Sequence, residues 1–215
     1  MNLSKNVYFF ILLNIFPLLL AEPITVLNAG FENNVLGDGA FVTFADDWIL
    51  SNIEGGDGLA GSFNPNSSQL TNEALEGNNI GFSNGQDFSQ VLSDVLIANT
   101  AYTLTVGVGD RADTAFPGYR IQFLAGGTVL AEDNNTQASV NDGFITSTVE
   151  FIALVGDANL GEALEIRLIN PGGAQLNFDN VQLNATAIAV PEPSIYVLLL
   201  LFCCLGFLRK NSFKS

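Results

Sequence analysis

The sequence of the central part of this chain predicts an all-β fold, a sandwich of two antiparallel sheets. Apolar and polar residues alternate through several short windows, and clusters of Gly, Asn, Asp and Pro separate those windows. No stretch between residues 22 and 189 has a convincing helical period. Short half-buried strands joined by frequent turns are typical of sandwiches, because each sheet buries one face against the other.

The alternation is clearest in three windows. Tyr102, Leu104, Val106 and Val108 share one face of residues 101–108, and the same period appears in residues 145–153 and 163–168. In chain order we predict strands at residues 24–27, 40–44, 48–51, 79–83, 88–92, 101–108, 119–124, 129–131, 145–153, 163–168 and 177–184. We interpret the glycine-rich segment 55–61 as an ordinary loop or a loose calcium site.

The last predicted strand changes phase in its middle. Its apolar residues fall on even positions up to Phe178 and on odd positions from Val181 onward. A β-bulge at Asp179-Asn180 explains the change, and bulges redirect side chains. We therefore expect Asp179 to have a more particular environment than bulk solvent.

Charge and residue usage exclude several kinds of function. Residues 22–189 carry 21 acidic side chains against three basic ones (Arg111, Arg120 and Arg167), a net charge of −18. Nucleic acid is excluded as a partner, because its binding needs clustered Lys and Arg. The chain has no histidine, which removes histidine-based triads, the usual zinc sites and the commonest general base. Both cysteines lie at positions 203 and 204, so the central part forms no internal disulfide.

The beginning of the chain has the composition of a secretory signal peptide. In residues 1–21, Lys5 precedes an apolar run at residues 7–20, and Ala21 provides a small residue for cleavage. The alternative is a membrane anchor that is not removed. Residues 22–189 then form one domain.

The end of the chain, residues 190–215, combines three features in order. Pro191-Glu192-Pro193 is followed by 14 uncharged residues at 195–208 and then by Arg209 and Lys210. An apolar helix before basic residues is typical of a membrane segment with a cytoplasmic end. The segment resembles the PEP-CTERM sorting tail of exported bacterial proteins. The resemblance implies Sec export, transient anchoring in the inner membrane, cleavage by an exosortase and a place in the cell envelope or outside the cell. The alternative is an anchor that is never cut.

The two ends of the sandwich carry motifs of a known fold. Residues 28–32 (Asn-Ala-Gly-Phe-Glu) and 176–183 (Leu-Asn-Phe-Asp-Asn-Val-Gln-Leu) resemble the galactose-binding-like jelly roll, which serves many carbohydrate-binding modules. The resemblance implies an antiparallel jelly roll with a structural Ca²⁺ near its paired first and last strands. Glu32 and Asp179 are then the candidate ligands, since Ca²⁺ prefers carboxylate oxygens.

A narrower resemblance covers residues 24–185. The segments 89–96, 98–104, 116–119, 124–127 and 130–133 are similar to a cyanobacterial exported group that includes the Stig cyclases. These are calcium-dependent enzymes that form hapalindole-type indole alkaloids, with an aromatic pocket and a carboxylic acid that protonates the substrate. The sorting tail departs from that group, which weighs against catalysis.

Four aromatic residues are candidates for ligand binding: Trp48, Phe82, Phe116 and Tyr119. An exposed Trp48 could stack on a sugar or an indole, but a core position is the alternative. Phe116 either lines a pocket or caps the end of the sandwich, and Tyr119 either lines that pocket or packs in the core. Under the cyclase alternative the catalytic candidate is Asp179, which must then stay protonated. A calcium ligand must be ionised, so Asp179 cannot easily fill both roles.

Three functions follow from these observations. The leading hypothesis is an exported envelope sandwich that is stabilised by Ca²⁺ and binds glycans. The first alternative is a calcium-dependent cyclase of the Stig type that binds an indole small molecule. The second is a structural matrix protein without a small ligand.

Overall fold

The computed structural model describes residues 20–53, 58–70, 74–111, 113–137 and 142–189. Residues 1–19 of the predicted signal peptide and the whole predicted sorting tail lie outside these ranges. Every regular element in the described part is a strand. Within the same ranges, no helix has the length and apolar character needed to cross a bilayer.

Twelve strands form two antiparallel sheets in the described residues. They are β1 (Glu22–Ile24), β2 (Phe41–Val42), β3 (Ile49–Ser51), β4 (Ala60–Phe63), β5 (Ile80–Ser83), β6 (Asp87–Val95), β7 (Thr100–Asp110), β8 (Arg120–Ala125), β9 (Thr128–Asn134), β10 (Gly143–Ala153), β11 (Ala163–Ile169) and β12 (Leu176–Ala187). The seven-stranded sheet has the order β10-β7-β12-β5-β4-β2, with β1 paired to β12, and the five-stranded sheet has the order β3-β6-β11-β8-β9. The predicted β-sandwich is confirmed.

The main core lies between the two sheets. The alternating residues of β7 that the sequence analysis placed on one face, together with Leu164, Ile166 and Leu168 of β11, belong to this core. Burial of such side chains stabilises the fold by roughly 1.5–3 kcal/mol each relative to their exposure to water. The strands predicted from alternating residues are therefore those that bury one of their two faces in the main core.

A second, smaller core lies on the other face of the seven-stranded sheet, which we call the outer face. Phe63 of β4 pairs with Ile80 of β5, and both belong to this second core together with Leu70 and Phe82. Because β5 buries side chains on both faces, all four of its residues are buried. Residues that approach from the loops after β4 and from β10 complete the second core.

The strand β4 lies partly within the segment that the sequence analysis interpreted as a loop, so that interpretation is wrong for residues 60 and 61. All four residues of β4 are buried, and a strand buried on both faces has no polar alternation to reveal it. Gly61 is needed for the close approach of β2, because a Cβ at this position would overlap the carbonyl oxygen of Val42.

The predicted bulge in the last strand is confirmed. The pairing of β12 with β7 shifts register between Asp179 and Gln182, and Asn180 has a φ of 48°. Asn tolerates this left-handed conformation better than most residues. The bulge leaves Asn177 and Asp179 on the outer face, while Val181 belongs to the main core.

Candidate functional site

The outer face of the seven-stranded sheet holds a cavity of about 220 Å³. Its lining residues are Gly39, Phe41, Leu59, Phe63, Gln69, Phe82, Asn84, Arg111 and Gln175. Phe82 stands edge to face against both Phe41 (ring centroids 5.7 Å apart, 83° between planes) and Phe63 (6.2 Å, 80°). The cavity therefore has one aromatic wall, which is suited to a flat apolar ligand.

A second wall of the cavity, at the ends of β7 and β12, is polar and is organised by Arg111. The guanidinium donates through Nε and Nη2 to the Asp113 carboxylate at 2.8 and 2.6 Å, and through Nη1 to Gln175 Oε1 at 2.6 Å. Gln175 Nε2 in turn donates to Asn177 Oδ1 at 2.9 Å. The hydrogen bond and charge of Arg111 hold the pKa of the Asp113 carboxyl below its usual value. A continuous polar chain thus runs from the exposed Asp113 to a fully buried amide.

Asn177 sits beside the aromatic wall. It pairs across the sheet with Phe82 on one side and with Gly109 on the other. Its side chain is fully buried, and Nδ2 has no hydrogen-bond partner among the described residues. A buried amide donor without a partner is costly, so this position is unusual for a purely structural residue.

Asp179 lies on the same face of the sheet as Asn177, two residues further along β12. Its side chain is fully buried. Oδ2 accepts hydrogen bonds from the backbone N–H groups of Leu75 (2.6 Å) and Glu76 (3.0 Å), and Oδ1 accepts one from Asn180 N–H (2.7 Å). Burial raises the pKa of Asp179 to about 7; the three N–H donors oppose this shift and the charge of Glu76 adds to it. The carboxyl therefore holds its proton up to near neutral pH.

Asp179 does not line the cavity. It follows Asn177 by two residues, a distance of about 7 Å along a strand. Leu75 covers it from outside and packs over Gly107, where a Cβ would overlap Leu75 Cδ1. A ligand in the cavity reaches this acid only if part of it extends along β12.

Glu32 and Asp179 bind the two ends of one short segment. Glu32 Oε1 accepts the backbone N–H groups of Asn78 (2.8 Å) and Asn79 (2.5 Å), while Asp179 binds residues 75 and 76. No group of three or more acidic, His or Cys side chains that could hold a metal occurs in the described residues. Both oxygens of Asp179 face N–H donors, so Asp179 fits poorly as a calcium ligand.

The surroundings of Glu32 fit a hard cation better. The Oδ1 atom of Asn34 is buried and has no hydrogen-bond partner among the described residues. The backbone carbonyl of Asn34 accepts Asn79 Nδ2 at 2.6 Å, which brings this loop against the segment that Glu32 binds. Glu76 lies against Gly30, two residues before Glu32. Oxygen donors are what Ca²⁺ requires, and calcium binding at Glu32 stays a prediction.

Trp48 lies in the main core, which is the alternative that the sequence left open. It is 6% exposed, stacks on Phe31 at 5.5 Å and 17°, and meets Phe88 edge to face. Its Nε1 donates to the carbonyl of Asn28 at 3.0 Å, so its polar atom is satisfied within the fold. An exposed stacking platform is therefore wrong for Trp48, because it is buried against the rings of Phe31 and Phe88.

Phe116 and Tyr119 also pack against the main core. Their ring centroids lie 6.3 Å apart, and Tyr119 is fully buried. The Tyr119 hydroxyl donates to Asp133 Oδ2 at 2.8 Å, and Ser147 Oγ donates to the same oxygen at 2.7 Å. Burial raises the pKa of Tyr119. Burial also acts to raise the pKa of Asp133, but its hydrogen bonds from Thr136, Ser147 and Tyr119 outweigh burial and lower it.

Of the four predicted aromatic residues, Phe82 lines the cavity. The sequence analysis missed its neighbours Phe41 and Phe63, because neither lies in a window with clear alternation. It also missed Arg111 and Gln175. One signal was available, since Arg111 is one of three basic residues in a strongly acidic domain.

Comparison with known proteins identifies the family. The model of the HpiC1-like family, described as HpiC1 cyclase, matches residues 22–184. The chain belongs to the HpiC1-like cyclase family. No curated protein sequence matches it. The match covers nearly all of the sandwich that the structure describes.

Solved structures of similar proteins agree with this assignment. The Stig cyclase Fisc from Fischerella sp. TAU, in complex with (3Z)-3-(1-methyl-2-pyrrolidinylidene)-3H-indole, is 32% identical, with a TM-score of 0.74 over 79% of this chain and 100% of that one. A cyclase from Fischerella sp. TAU in complex with 4-(1H-indol-3-yl)butan-2-one is 33% identical, with a TM-score of 0.71 over 79% and 100%. The tandem CBM22 domains of Paenibacillus barcinonensis Xyn10C, at 14% identity, a TM-score of 0.50 and coverage of 84% and 50%, share the fold alone.

These comparisons favour the first alternative of the sequence analysis over its leading hypothesis. The resemblance to Stig cyclases is confirmed at the level of the family. The carbohydrate-binding neighbour supports the jelly-roll architecture and carries no argument for glycan binding.

Proposed function

We propose that this protein is a cyclase that binds an indole-bearing substrate in the outer-face cavity and closes a ring with the help of one acid. The observation that carries the proposal is the 32–33% identity to Stig cyclases over their whole length. Two of those cyclases hold indole compounds. The cavity here has an aromatic wall against which a planar indole packs.

The aromatic wall also suits the intermediate of such a reaction. Ring closure after protonation passes through a carbocation, and the faces of aromatic rings attract cations. Phe41, Phe63 and Phe82 provide three such rings on one side of the cavity.

Asp179 is the acid we assign to the reaction. It lies outside the cavity lining, so it acts on the part of the substrate that extends from the cavity along β12 to this carboxyl. Its proton is transferred to an electron-rich carbon of the substrate, forming a C–H bond and leaving the carboxylate. A carbon–carbon bond then closes the ring, and loss of a proton from the ring system back to the carboxylate restores the acid. The net change is an isomerisation, so no oxidant or reductant is needed. The N–H groups of Leu75, Glu76 and Asn180 stabilise the carboxylate while it is ionised.

The test is turnover of a prenylated, isonitrile-bearing indole by the purified full-length protein. We expect a cyclised isomer from the wild type and at least about a hundredfold slower turnover from Asp179→Asn, the usual size of a lost general acid. Asp133→Asn is the matched control, because it removes another buried carboxylate that does not line the cavity. Circular dichroism measures the folded fraction of each variant.

The outcomes separate the two parts of the proposal. Absence of any cyclised product from folded wild type contradicts the cyclase function. Equal turnover by Asp179→Asn and the wild type leaves the function standing and contradicts the role of Asp179. Glycan binding lacks comparable support, since the structural neighbour that suggests it shares only the fold.

Two predictions from the sequence accompany this proposal. The sequence predicts Ca²⁺ at Glu32 and Asp179; we propose that the ion instead binds near Glu32 with Glu32 and Asn34 as ligands, while Asp179 stays protonated. When bound, the ion would tie the loop after β1 to the segment before β5. We also propose that residues 1–21 and 190–215 direct export and envelope sorting of the cyclase domain.

A further inference from the structure

The position of Arg111 in the cavity is unexpected for a cyclase whose reaction passes through a cationic intermediate. Arg111 lines the same cavity as Phe41, Phe63 and Phe82, and its side chain is 15% exposed. A free guanidinium here would repel a carbocation. The bidentate pair with Asp113 removes most of that repulsion, since the two groups together carry no net charge.

The hydrogen bonds of Arg111 hold its side chain in one orientation. They engage three of the five N–H donors of a guanidinium, through Nε and Nη2 to Asp113 and through Nη1 to Gln175. Gln175 is itself fixed by Asn177 on the buried side. A donor group held this firmly loses little entropy when it binds a ligand.

A ligand that fills the cavity displaces water from this polar wall. A purely hydrocarbon side chain would leave the two remaining N–H groups of Arg111 without acceptors, and an unsatisfied buried donor costs more free energy than a typical hydrogen bond contributes. Sites built to bond a polar group therefore reject analogues that lack it. Because the Arg111–Asp113 pair is neutral overall, the matching group is a neutral acceptor such as a ketone, nitrile or isonitrile, and not a carboxylate.

We infer that Arg111 is a positioning residue that selects indole ligands whose side chain ends in a neutral hydrogen-bond acceptor, with Asp113 excluding anionic ones. The inference rests on the proposed function, because it places the indole in the same cavity. It assigns the aromatic wall to the indole ring and the polar wall to the side chain of the ligand.

The test compares three ligands of nearly equal shape by calorimetry on the full-length protein. They are 4-(1H-indol-3-yl)butan-2-one, 3-(3-methylbutyl)indole, in which a methyl-bearing carbon replaces the carbonyl, and 3-(indol-3-yl)propanoate, in which a carboxylate replaces the methyl ketone. We expect the wild type to bind the ketone at least about tenfold more tightly than either analogue, the usual value of a hydrogen bond to a charged donor.

Arg111→Met should bring the ratio of ketone to hydrocarbon affinity close to one by weakening only the ketone. Arg167→Met is the matched control: it breaks a second ion pair of the same 2.6 Å length, with Glu165, on the other sheet. It should keep the wild-type ratio. An unchanged ratio in Arg111→Met, or an equal loss for ketone and hydrocarbon, overturns the inference.

Asp113→Asn gives a second test that keeps the largely buried Arg111 side chain in place. Asp113 is 54% exposed, so its replacement leaves the packing intact. The cavity then gains net positive charge, and affinity for the propanoate relative to the ketone should rise at least about fivefold. An unchanged ratio contradicts the role of Asp113. Failure of the wild type to bind any of the three ligands contradicts the proposed function, whereas equal binding of all three contradicts only this inference.

Discussion

The carboxyl pKa values of two buried aspartates in this domain are shifted in opposite directions, and the hydrogen-bond partners of each explain why. Asp179 accepts hydrogen bonds from backbone N–H groups, yet burial outweighs them and raises the pKa of its carboxyl to about 7. Asp133 accepts hydrogen bonds from Thr136 and from the hydroxyls of Ser147 and Tyr119, and these bonds lower its pKa despite burial. One acid is thus held protonated near neutral pH, and the other is held ionised. The first state suits proton donation and the second suits structural anchoring.

The stability of the domain should reflect both shifts. The carboxyl of Asp179 has an ordinary pKa near 3.9 in the unfolded chain and a raised pKa in the folded one. Between about pH 4 and pH 7 the folded state therefore binds more protons than the unfolded state. The contribution of Asp179 to the free energy of unfolding thus falls as pH rises through that window, by at most roughly 1.4 kcal/mol per pH unit. Urea unfolding at several pH values measures this slope.

Asp179→Asn should remove that slope between pH 4 and 7. The contribution of Asp133 to the free energy of unfolding depends on pH in the opposite direction. It is present above the unfolded-state pKa near 3.9 and is lost as pH falls further, through the lowered pKa of the folded state. Asp133→Asn should accordingly flatten the acid limb below about pH 4 and leave the window from pH 4 to 7 unchanged. A slope between pH 4 and 7 that survives in Asp179→Asn speaks against the raised pKa.

At the scale of elements, the site depends on β12 and on the segment 74–79 that covers it. The bulge after Asp179 returns β12 to the main core and leaves the acid on the outer face. The covering segment has no regular structure, and carboxylates hold it at two points: Asp179 near Leu75 and Glu32 near Asn79. The position of Leu75 also requires the open space over Gly107.

Gly107→Ala should displace Leu75 from above Asp179. We expect a loss of about 1–3 kcal/mol in the free energy of unfolding, the usual cost of an inserted methyl group in a packed site. Gly37→Ala is the control, because a Cβ there meets nothing within 4 Å. Denaturant melts of both variants provide the comparison. Equal stability of the two variants would show that Leu75 is not packed on β7.

The elements that the sequence predicted well are those with one buried face. The sequences of strands β7, β10 and β11 alternate cleanly, and the phase change at Asp179 predicts the bulge. Strand β4 was missed because both of its faces are buried. The cavity could not be predicted, since Phe41, Phe82 and Arg111 are far apart in sequence and come together only through the pairing of β2, β4, β5, β12 and β7. Trp48 shows the converse limit, because residue type alone does not separate a core ring from a binding surface.

At the scale of the whole molecule, the domain has strong self-repulsion and no disulfide to offset it. The acidic side chains of residues 22–189 outnumber the basic ones by 18. Such a charge keeps a protein soluble but destabilises its compact state. A bound divalent cation relieves part of this repulsion, and ligand binding to the folded state raises stability.

Removal of calcium should therefore lower the melting temperature of the domain. With Ca²⁺ at a hundred times its dissociation constant the gain is about 2.7 kcal/mol, so EGTA should lower the midpoint by roughly 5 °C or more. Glu32→Gln should abolish most of this difference, whereas Asp179→Asn should preserve it, since we assign the metal to Glu32. An identical midpoint with and without EGTA counts against a structural ion.

The central claim is that the cavity on the outer face of the seven-stranded sheet binds the indole substrate. A crystal structure with 4-(1H-indol-3-yl)butan-2-one tests it most directly. We predict that the indole ring packs against Phe41, Phe63 and Phe82, with its ketone oxygen within hydrogen-bond distance of Arg111. Ligand density at any other place on the sandwich, with this cavity left to solvent, would contradict the account.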